Sequence, residues 1–529
     1  MYDKLSILWT HEHGIASRER RDGAKKVITD LQIDRAFRTI CPEALYREAF
    51  LSVLTEPLTD IEEIRKRTDV LSAFMDYPQL LDRLIELVRR MITLKNGWDS
   101  ERSRLFANRR VKQQDKNAVL WAARETLILT SHFIRSASMI TADIAESLNM
   151  FGFNNSDSML GSVREAAFLV SGSRQAIEIG KFAERLEKGL DSAHTYDIEF
   201  QIDEELRCSQ YFLRDIKYIA APEKKSKTVR PAIFAIFDRD KDKKQSDGSG
   251  EHRPDEEKAR AAVEGVTTDW IFDTAARGVQ ECDRVLTGYL RAVIAKFAAL
   301  EPELYFYKAA LMYMKRFEER RVRLIFPEFR DSKENLIDIK NLSDILLLTE
   351  SMSVSSVVPN DVSFGSTDSG RAGILVTGKN NSGKTVYLRS IGGAVLLSQC
   401  GLPIPCDHAV ISIRSRIFTA FAAAEGELVP QSSAGRFEEE VIAVSGIIDA
   451  IEPDSLLLMN ETFQTTAYDE GADGMYNILN YISELGCGFI FVTHLLKLCE
   501  LYGGESGVTI LKTSDSPDTK YKIAKAADL

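Results

Sequence analysis

Residues 373–385 read GILVTGKNNSGKT, and this stretch decides the fold of the C-terminal part of the chain. The apolar run at its start is typical of a buried strand, and the residues that follow it, VYLRSIGGAVLLSQ, are typical of an apolar helix. Between them stands the pattern G-x-x-x-x-G-K-[ST], whose glycines let backbone N–H groups come close to a phosphate. The sequence therefore predicts a phosphate-binding loop at the start of a helix.

This loop contains the predicted contacts to phosphate groups and to Mg²⁺. Lys384 is expected to reach the outer phosphates, and the hydroxyl of Thr385 is expected to bind the metal ion. The predicted phosphate-binding residues are Gly378, Lys379, Asn380, Asn381, Ser382, Gly383, Lys384 and Thr385.

Two further strand ends carry polar residues that fit such a site. The run LLLMNETF, residues 456–463, ends in Asn460 and Glu461, where many ATPases place an acidic pair. Glu461 is the candidate general base for the attacking water, and Asn460 is a candidate metal ligand without negative charge. The run GFIFVTH ends at His494, a candidate sensor of the outer phosphate. The alternatives are an inert buried strand end for the first run and a structural histidine for the second.

Length and composition limit the classes of protein to be considered. A chain of 529 residues predicts two or three domains, and its net charge of −11 confines any DNA contact to local basic patches. The 7 cysteines include no C-x-x-C pair, which favours free thiols over a zinc site or a disulfide framework. Neither a signal-peptide pattern nor an apolar run of about 18 residues occurs, so we expect a cytoplasmic protein without membrane contact.

Apolar periodicity divides the chain into three predicted domains. Residues 1–45 form an N-terminal segment, and residues 46–320 predict a helical domain with long helices. Within it, residues 221–260 are charged and contain proline, which predicts a mobile insertion. Over residues 321–529, short apolar runs alternate with helical patterns, which predicts an α/β P-loop NTPase domain with a largely parallel sheet. These runs are VRLIF, GILVTG, SLLLMN and GFIFVTH.

The motifs of the C-terminal part together resemble those of the MutS mismatch-repair family. Their order and spacing are similar to those of the family's ATPase domain, which belongs to the ABC superfamily. The matching stretches are TGKNNSGKTVYLRSIGGAVLLSQCGLPIPC (377–406), SRIFTAF (415–421), GRFEEEV (435–441), LLLMNETFQTTAYDEG (456–471) and FVTHLLKL (491–498). A softer likeness links LTEPLTDIEEIRKRTDVLSAFMDYPQLLDRL, residues 54–84, to the start of the family's core and lever region.

This resemblance implies an activity, cofactors and partners. It implies an ATPase that uses ATP and Mg²⁺, with Glu461 as the catalytic base, His494 at the outer phosphate and Gln399 near the metal ion. It also implies a homodimer through the ATPase domains, in which helical arms contact duplex or branched DNA during repair or recombination.

The chain departs from the family pattern at several positions. Asn460 replaces the acidic residue of the family's metal site. We expect the loss of this charged group to slow hydrolysis by about 10²–10³-fold. The signature Ser-Thr falls on Gly435 and Arg436, and Arg436 is either a finger-like contact to the partner's phosphate or a surface residue. Because about 45 residues precede the helical core, we expect a shortened form that lacks the mismatch-recognition and connector domains and does not depend on a mismatch.

The candidate DNA contacts lie in the predicted insertion. They are Lys224, Lys225, Lys227 and Arg230, whose positive charges would bind the phosphates of DNA regardless of its base sequence. A solvated loop is the alternative for this cluster. Two other functions stay open: a nucleotide-gated scaffold that binds protein partners without DNA, and an ATP-binding switch with little hydrolysis.

Overall fold

In a computed structural model the chain forms two compact units. The first unit comprises Met1–Leu5 and Asp82–Glu301, and the second comprises Ser6–Leu81 and Pro302–Leu529. These limits do not coincide with the predicted domain boundaries at residues 45 and 320. The structure describes residues 5–9, 18–109, 116–155, 157–172, 174, 177–178, 180–181, 194–202, 208–218, 277–365, 372–421, 436–463, 468–503, 507–514, 516 and 519–525. The predicted insertion at 221–260, with its four candidate DNA contacts, lies outside these residues.

The N-terminal helices belong to the second unit and pack on its C-terminal part. They are α1 (Arg18–Asp30), α2 (Ile33–Ile40), α3 (Ala44–Leu54) and α4 (Ile61–Asp76). The side chain of Asp60 caps α4 by accepting a hydrogen bond of 2.9 Å from the backbone N–H of Glu63. The hydroxyl of Thr419 donates to the carboxylate of Asp30 over 2.6 Å, which ties α1 to a C-terminal strand.

Long helices dominate the first unit, as the apolar pattern predicts. They are α5 (Pro78–Arg109), α6 (Lys116–Met150), α7 (Met159–Ser171) and α8 (residues 277–298). The guanidinium of Arg102 on α5 pairs with the carboxylate of Asp283 on α8 at 2.7 Å. Thr130 of α6 donates to the same carboxylate at 2.8 Å, so one polar contact joins three helices.

The first unit also contains a β-structure that the helical prediction missed. Strand β1 (His194–Ile202) pairs antiparallel with strand β2 (Cys208–Tyr218). In β1, the residues Tyr196, Ile198, Phe200 and Ile202 alternate with polar ones at a period of two. That period is the signal of a strand with one apolar face.

Two sheets form the framework of the second unit. The elements after residue 300 are α9 (Glu301–Glu319), β3 (Glu328–Arg330), β4 (Ile337–Leu342), α10 (Ile345–Glu350), β5 (Asn360–Phe364), β6 (Gly373–Thr377), α11 (Lys384–Gln399), β7 (His408–Ser412), β8 (Ile417–Phe421), α12 (Arg436–Ala450), β9 (Leu456–Asn460), α13 (Tyr468–Glu484), β10 (Gly488–Val492), α14 (Leu496–Leu501), β11 (Val508–Thr513) and β12 (Ile523–Ala524). The larger sheet has six strands in the order β12-β11-β6-β10-β9-β8, and the smaller has four in the order β3-β7-β4-β5.

The six-stranded sheet is the largely parallel sheet that the sequence predicts. Only β12 runs antiparallel to its neighbour. The four-stranded sheet was not predicted, and in it only the β3–β7 pair is parallel. The apolar run VRLIF, residues 322–326, does not form a strand. Within it Ile325 makes a single bridge to Ile404, and β3 begins only after Pro327, which has no N–H to donate.

None of the described helices is long and apolar enough to cross a membrane.

A buried ion pair connects α11 to α10. The guanidinium of Arg389 makes two hydrogen bonds to the carboxylate of Asp344, at 3.0 and 3.1 Å, and both side chains are almost fully buried. The same carboxylate caps α10 by accepting from the backbone N–H of Leu347 at 2.8 Å. Asp344 therefore both neutralises a buried cation and begins a helix.

We expect Asp344→Ala to lower the free energy of unfolding by about 3–5 kcal/mol, because it leaves Arg389 buried without its counter-ion. The control is Glu350→Ala, which removes the partner of Arg35 in a solvent-exposed pair and costs at most about 1 kcal/mol. Urea unfolding of both variants measures the difference. Equal losses in the two variants would contradict this account of the buried pair.

Candidate functional site

The candidate site lies where three neighbouring parallel strands end. In the larger sheet β10 lies between β6 and β9, and Val492 is in register with Val376 on one side and with Asn460 on the other. The residues that follow these strands therefore leave the sheet at the same edge. Carboxyl edges of parallel sheets are where such folds place their ligand sites.

The loop between β6 and α11 curls around the amino group of Lys384. The Nζ atom donates to the carbonyl oxygens of Gly378 at 2.9 Å and of Lys379 at 2.8 Å. The hydroxyl of Ser382 donates to the carbonyl of Lys379 at 2.6 Å, which closes the loop on itself. The loop thus holds a cation at the N-terminus of α11, where the helix dipole also favours an anion.

Three loop residues adopt left-handed backbone conformations: Gly378 (φ 145°), Asn381 (φ 58°) and Gly383 (φ 94°). At Gly378 a side chain is also excluded, because its Cβ would lie 1.9 Å from the hydroxyl oxygen of Thr513 on β11. At Gly383 the nearest neighbour of a Cβ would be the ring of Tyr521, at 3.4 Å. Thr513 and Tyr521 support the loop from behind, and sequence reasoning missed both because neither belongs to a local motif.

Thr385 and Asn460, the two predicted oxygen ligands of a metal ion, are in direct contact. The hydroxyl of Thr385 donates to the side-chain carbonyl oxygen of Asn460 over 3.1 Å. Both groups offer the hard oxygen atoms that Mg²⁺ prefers. In the described part of the chain no group of three or more His, Cys, Asp or Glu side chains could hold a metal ion. The oxygen atoms of Thr385 and Asn460 are thus the groups of this site that fit Mg²⁺.

Glu461 lies between Lys384 and His494. One carboxylate oxygen is 3.8 Å from the Nζ of Lys384 and 3.3 Å from the Nε2 of His494. The Nε2 atom is buried and makes no hydrogen bond within the described structure, so the 3.3 Å contact has the distance of a hydrogen bond but not its geometry. The sheet edge thus brings together the predicted base and the predicted phosphate sensor.

The electrostatics of the site are set by burial. Desolvation lowers the pKa of Lys384, and the nearby Glu461 carboxylate raises it in part. The Lys384 side chain is only 3% exposed. An approaching anion stabilises a partly desolvated cation of this kind, because the low local dielectric strengthens the attraction between them.

The structure overturns the prediction that Gln399 lies near the metal ion. Gln399 is the last residue of the 16-residue helix α11, about 22 Å along the helix axis from Lys384. Its side chain is buried, and its amide nitrogen donates to the carbonyls of Leu58 at 2.8 Å and Arg414 at 2.9 Å. Its oxygen accepts from the backbone N–H of Arg414 at 2.9 Å. Every polar atom of Gln399 is thus engaged in holding the fold.

Part of the predicted signature segment lies outside the described residues. Gly435 is not described, and Arg436 is described only as the first residue of α12. The two readings of Arg436 as a phosphate contact or a surface residue both stay predictions.

A loop that encloses a lysine at the carboxyl edge of a parallel sheet has the architecture of a domain that binds nucleotide phosphates. A family model described as MutS domain V matches residues 374–524. The DNA mismatch repair protein MSH3 of Mycosarcoma maydis is 22% identical over 491 residues, 87% of this chain and 40% of that protein. Residues 374–524 of the chain therefore match a MutS domain V, and over most of its length the chain is similar to a DNA mismatch repair protein.

Other relatives match a shorter part of the chain at higher identity. The DNA mismatch repair protein MSH3 of Kluyveromyces lactis is 36% identical over 157 residues, 29% of this chain and 15% of the relative. The DNA mismatch repair protein MutS of Thermosipho melanesiensis is 34% identical over 161 residues, 30% of this chain and 19% of the relative. The chain spans less than half the length of each of these relatives.

We expect Gly378→Ala to destabilise the chain by about 1–3 kcal/mol, because it adds a Cβ at a positive φ and against Thr513. Adding Thr513→Ala to it recovers the steric share of this loss but not the share due to φ. The control Gly474→Ala places a methyl group on an exposed face of α13 and stabilises by roughly 0.5–1 kcal/mol. Urea unfolding distinguishes the variants, and a double variant no better than Gly378→Ala would contradict the contact with Thr513.

Proposed function

We propose that the chain is an ATPase of the MutS family, with residues 321–529 as its ATPase domain. The observation that carries the proposal is the convergence of Lys384, Thr385, Asn460 and Glu461 at one sheet edge. They supply a phosphate cation, two metal-binding oxygens and a carboxylate. Lys384 and Thr385 come from the phosphate loop, and Asn460 and Glu461 come from the end of β9.

Each of these residues has a role that follows from its position. The loop from Gly378 to Thr385 binds the phosphates through its backbone N–H groups, and Lys384 balances the charge of the outer ones. Thr385 and Asn460 hold Mg²⁺, which when bound neutralises charge on the phosphate oxygens. Glu461 orients the attacking water and accepts its proton, and His494 contacts the outer phosphate beside it.

Asn460 makes hydrolysis slow. Its amide oxygen accepts the Thr385 hydrogen bond that a carboxylate would accept, but it adds no negative charge to hold the metal ion. The geometry of the site is thereby kept while one electrostatic contribution is lost, which commonly costs about 10²–10³-fold in rate.

We also propose that the chain acts on DNA as a homodimer through its ATPase domains. The names of the relatives, DNA mismatch repair proteins, support a DNA substrate. Duplex or branched DNA is the proposed ligand, and a mismatch is not required. In support, the stretch Phe317-Glu318-Glu319, one of the places where the chain has the Phe-x-Glu form of the family's mismatch wedge, has its phenylalanine fully buried in α9. Lys224, Lys225, Lys227 and Arg230 are the proposed DNA contacts.

The net charge of −11 favours a second candidate, a nucleotide-gated scaffold that binds protein partners without DNA. Asn460 favours a third, a switch that binds ATP with little turnover. The two experiments below separate these functions.

Glu461→Gln is expected to lower phosphate release by about 10²–10⁴-fold, because an amide cannot accept the proton of the water. Asn460→Asp is expected to be at least as active as wild type, since it restores a charge beside the metal ion. Isothermal titration with ATP and Mg²⁺ controls for binding, which Lys384→Ala should weaken. Equal, slow phosphate release by wild type and Glu461→Gln would identify a switch.

Filter binding to duplex, mismatched and junction DNA, with and without ATP, tests the DNA proposal. We expect affinity to fall steeply with salt, and replacement of the four basic residues at 224–230 by alanine to reduce the slope of that fall. Lys95→Ala, at an exposed position of α5, is the control and should leave the slope unchanged. No binding at about 50 mM salt would rule out DNA and favour the scaffold.

A further inference from the structure

The turn that follows β9 has an unusual backbone. Glu461 (φ 56°) and Phe463 (φ 63°) both adopt left-handed conformations although neither is glycine. Such a conformation costs of the order of 1–3 kcal/mol per residue and persists only when neighbouring groups hold it. The direction of the Glu461 side chain therefore depends on the contacts that fix this turn.

Three hydrogen bonds hold the turn from three sides. The backbone N–H of Glu461 donates to the carbonyl of Val492 at 2.9 Å, and the hydroxyl of Thr462 donates to the carbonyl of Ala420 at 3.1 Å. Both acceptors lie on strands of the same sheet. The third bond is different, because the backbone N–H of Phe463 donates to a carboxylate oxygen of Glu440 on α12 at 2.7 Å.

The contact between α12 and the turn is also a packing contact. Val444 lies one helical turn after Glu440 and so on the same face of α12. Val444 and Phe463 are both buried in one hydrophobic cluster. An N–H bond to a carboxylate is stronger than one to a neutral acceptor, so Glu440 fixes the end of the turn and the cluster fixes the ring.

We propose that Glu440 is a positioning residue for Glu461, which makes turnover depend on where α12 lies. This inference rests on the proposed ATPase function. The contact that Glu440 makes to this turn is with the backbone N–H of Phe463, so Glu440 acts through the backbone of residues 461–463. α12 begins within the predicted signature segment, at Arg436, and a small displacement of this helix would break the bond to Phe463 and release Glu461 from its direction.

The test compares Glu440→Ala, Glu440→Gln and the control Glu438→Ala, which changes an exposed carboxylate on the same helix. Phosphate release is measured at saturating ATP, the Kd of a non-hydrolysable ATP analogue by titration, and exchange of the Phe463 amide proton by hydrogen exchange. We expect Glu440→Ala to lower turnover by roughly 10–100-fold while the analogue's Kd changes little. Its Phe463 amide should also lose protection. Glu440→Gln keeps an acceptor oxygen and should restore both turnover and protection, and Glu438→Ala should match wild type.

Several results would overturn the inference. One is wild-type turnover by Glu440→Ala with an unchanged Phe463 amide. Another is loss of turnover together with weaker analogue binding and a lower unfolding midpoint, which would mean a general structural role. If wild-type protein binds the analogue but has the same turnover and the same Phe463 amide protection as Glu440→Ala, only the role of Glu440 is refuted and ATP binding stands. Wild-type protein that binds no analogue would refute the proposed function and this inference with it.

Discussion

The register of three parallel strands is the constraint on which the candidate site depends. Lys384, Glu461 and His494 are far apart in sequence, and they meet because β6, β9 and β10 end level with one another. All residues of β6 and β10 are buried, so their side chains are packed on both faces of the sheet. A slip of one residue would exchange the faces of a whole strand, and the cost of that exchange keeps the ends aligned.

The parts of the site that the sequence predicts are those in which a local pattern meets a general rule of topology. A glycine-rich loop ahead of a helix specifies its own shape, and the end of a buried strand in an α/β sheet has one place to lie. The neighbourhood of Lys384 and Glu461 and the contact of Thr385 with Asn460 follow from these two facts. The resemblance to a family adds the roles of these residues, and the comparisons support the family.

The parts that the sequence does not predict depend on distant partners. In the sequence, Gln399 is a polar residue at the end of an apolar helix. The partner of its amide is the carbonyl of Leu58, which is 341 residues away and which no local pattern indicates. Glu440 and Thr513 are similar cases, because neither belongs to a local motif and each acts on a turn that lies elsewhere in the chain. The β1–β2 pair is different, since its alternation is visible in the sequence but lies among long helical patterns that outweigh it.

Helix α11 is held at its start, near its middle and at its end. Lys384 is bonded to the loop carbonyls, Arg389 to the carboxylate of Asp344, and Gln399 to the carbonyl of Leu58. These three attachments lie along 16 residues, so one helix fixes the position of the phosphate loop relative to the connection between α3 and α4. The buried amide of Gln399 thus anchors the far end of the helix that carries the phosphate-facing lysine.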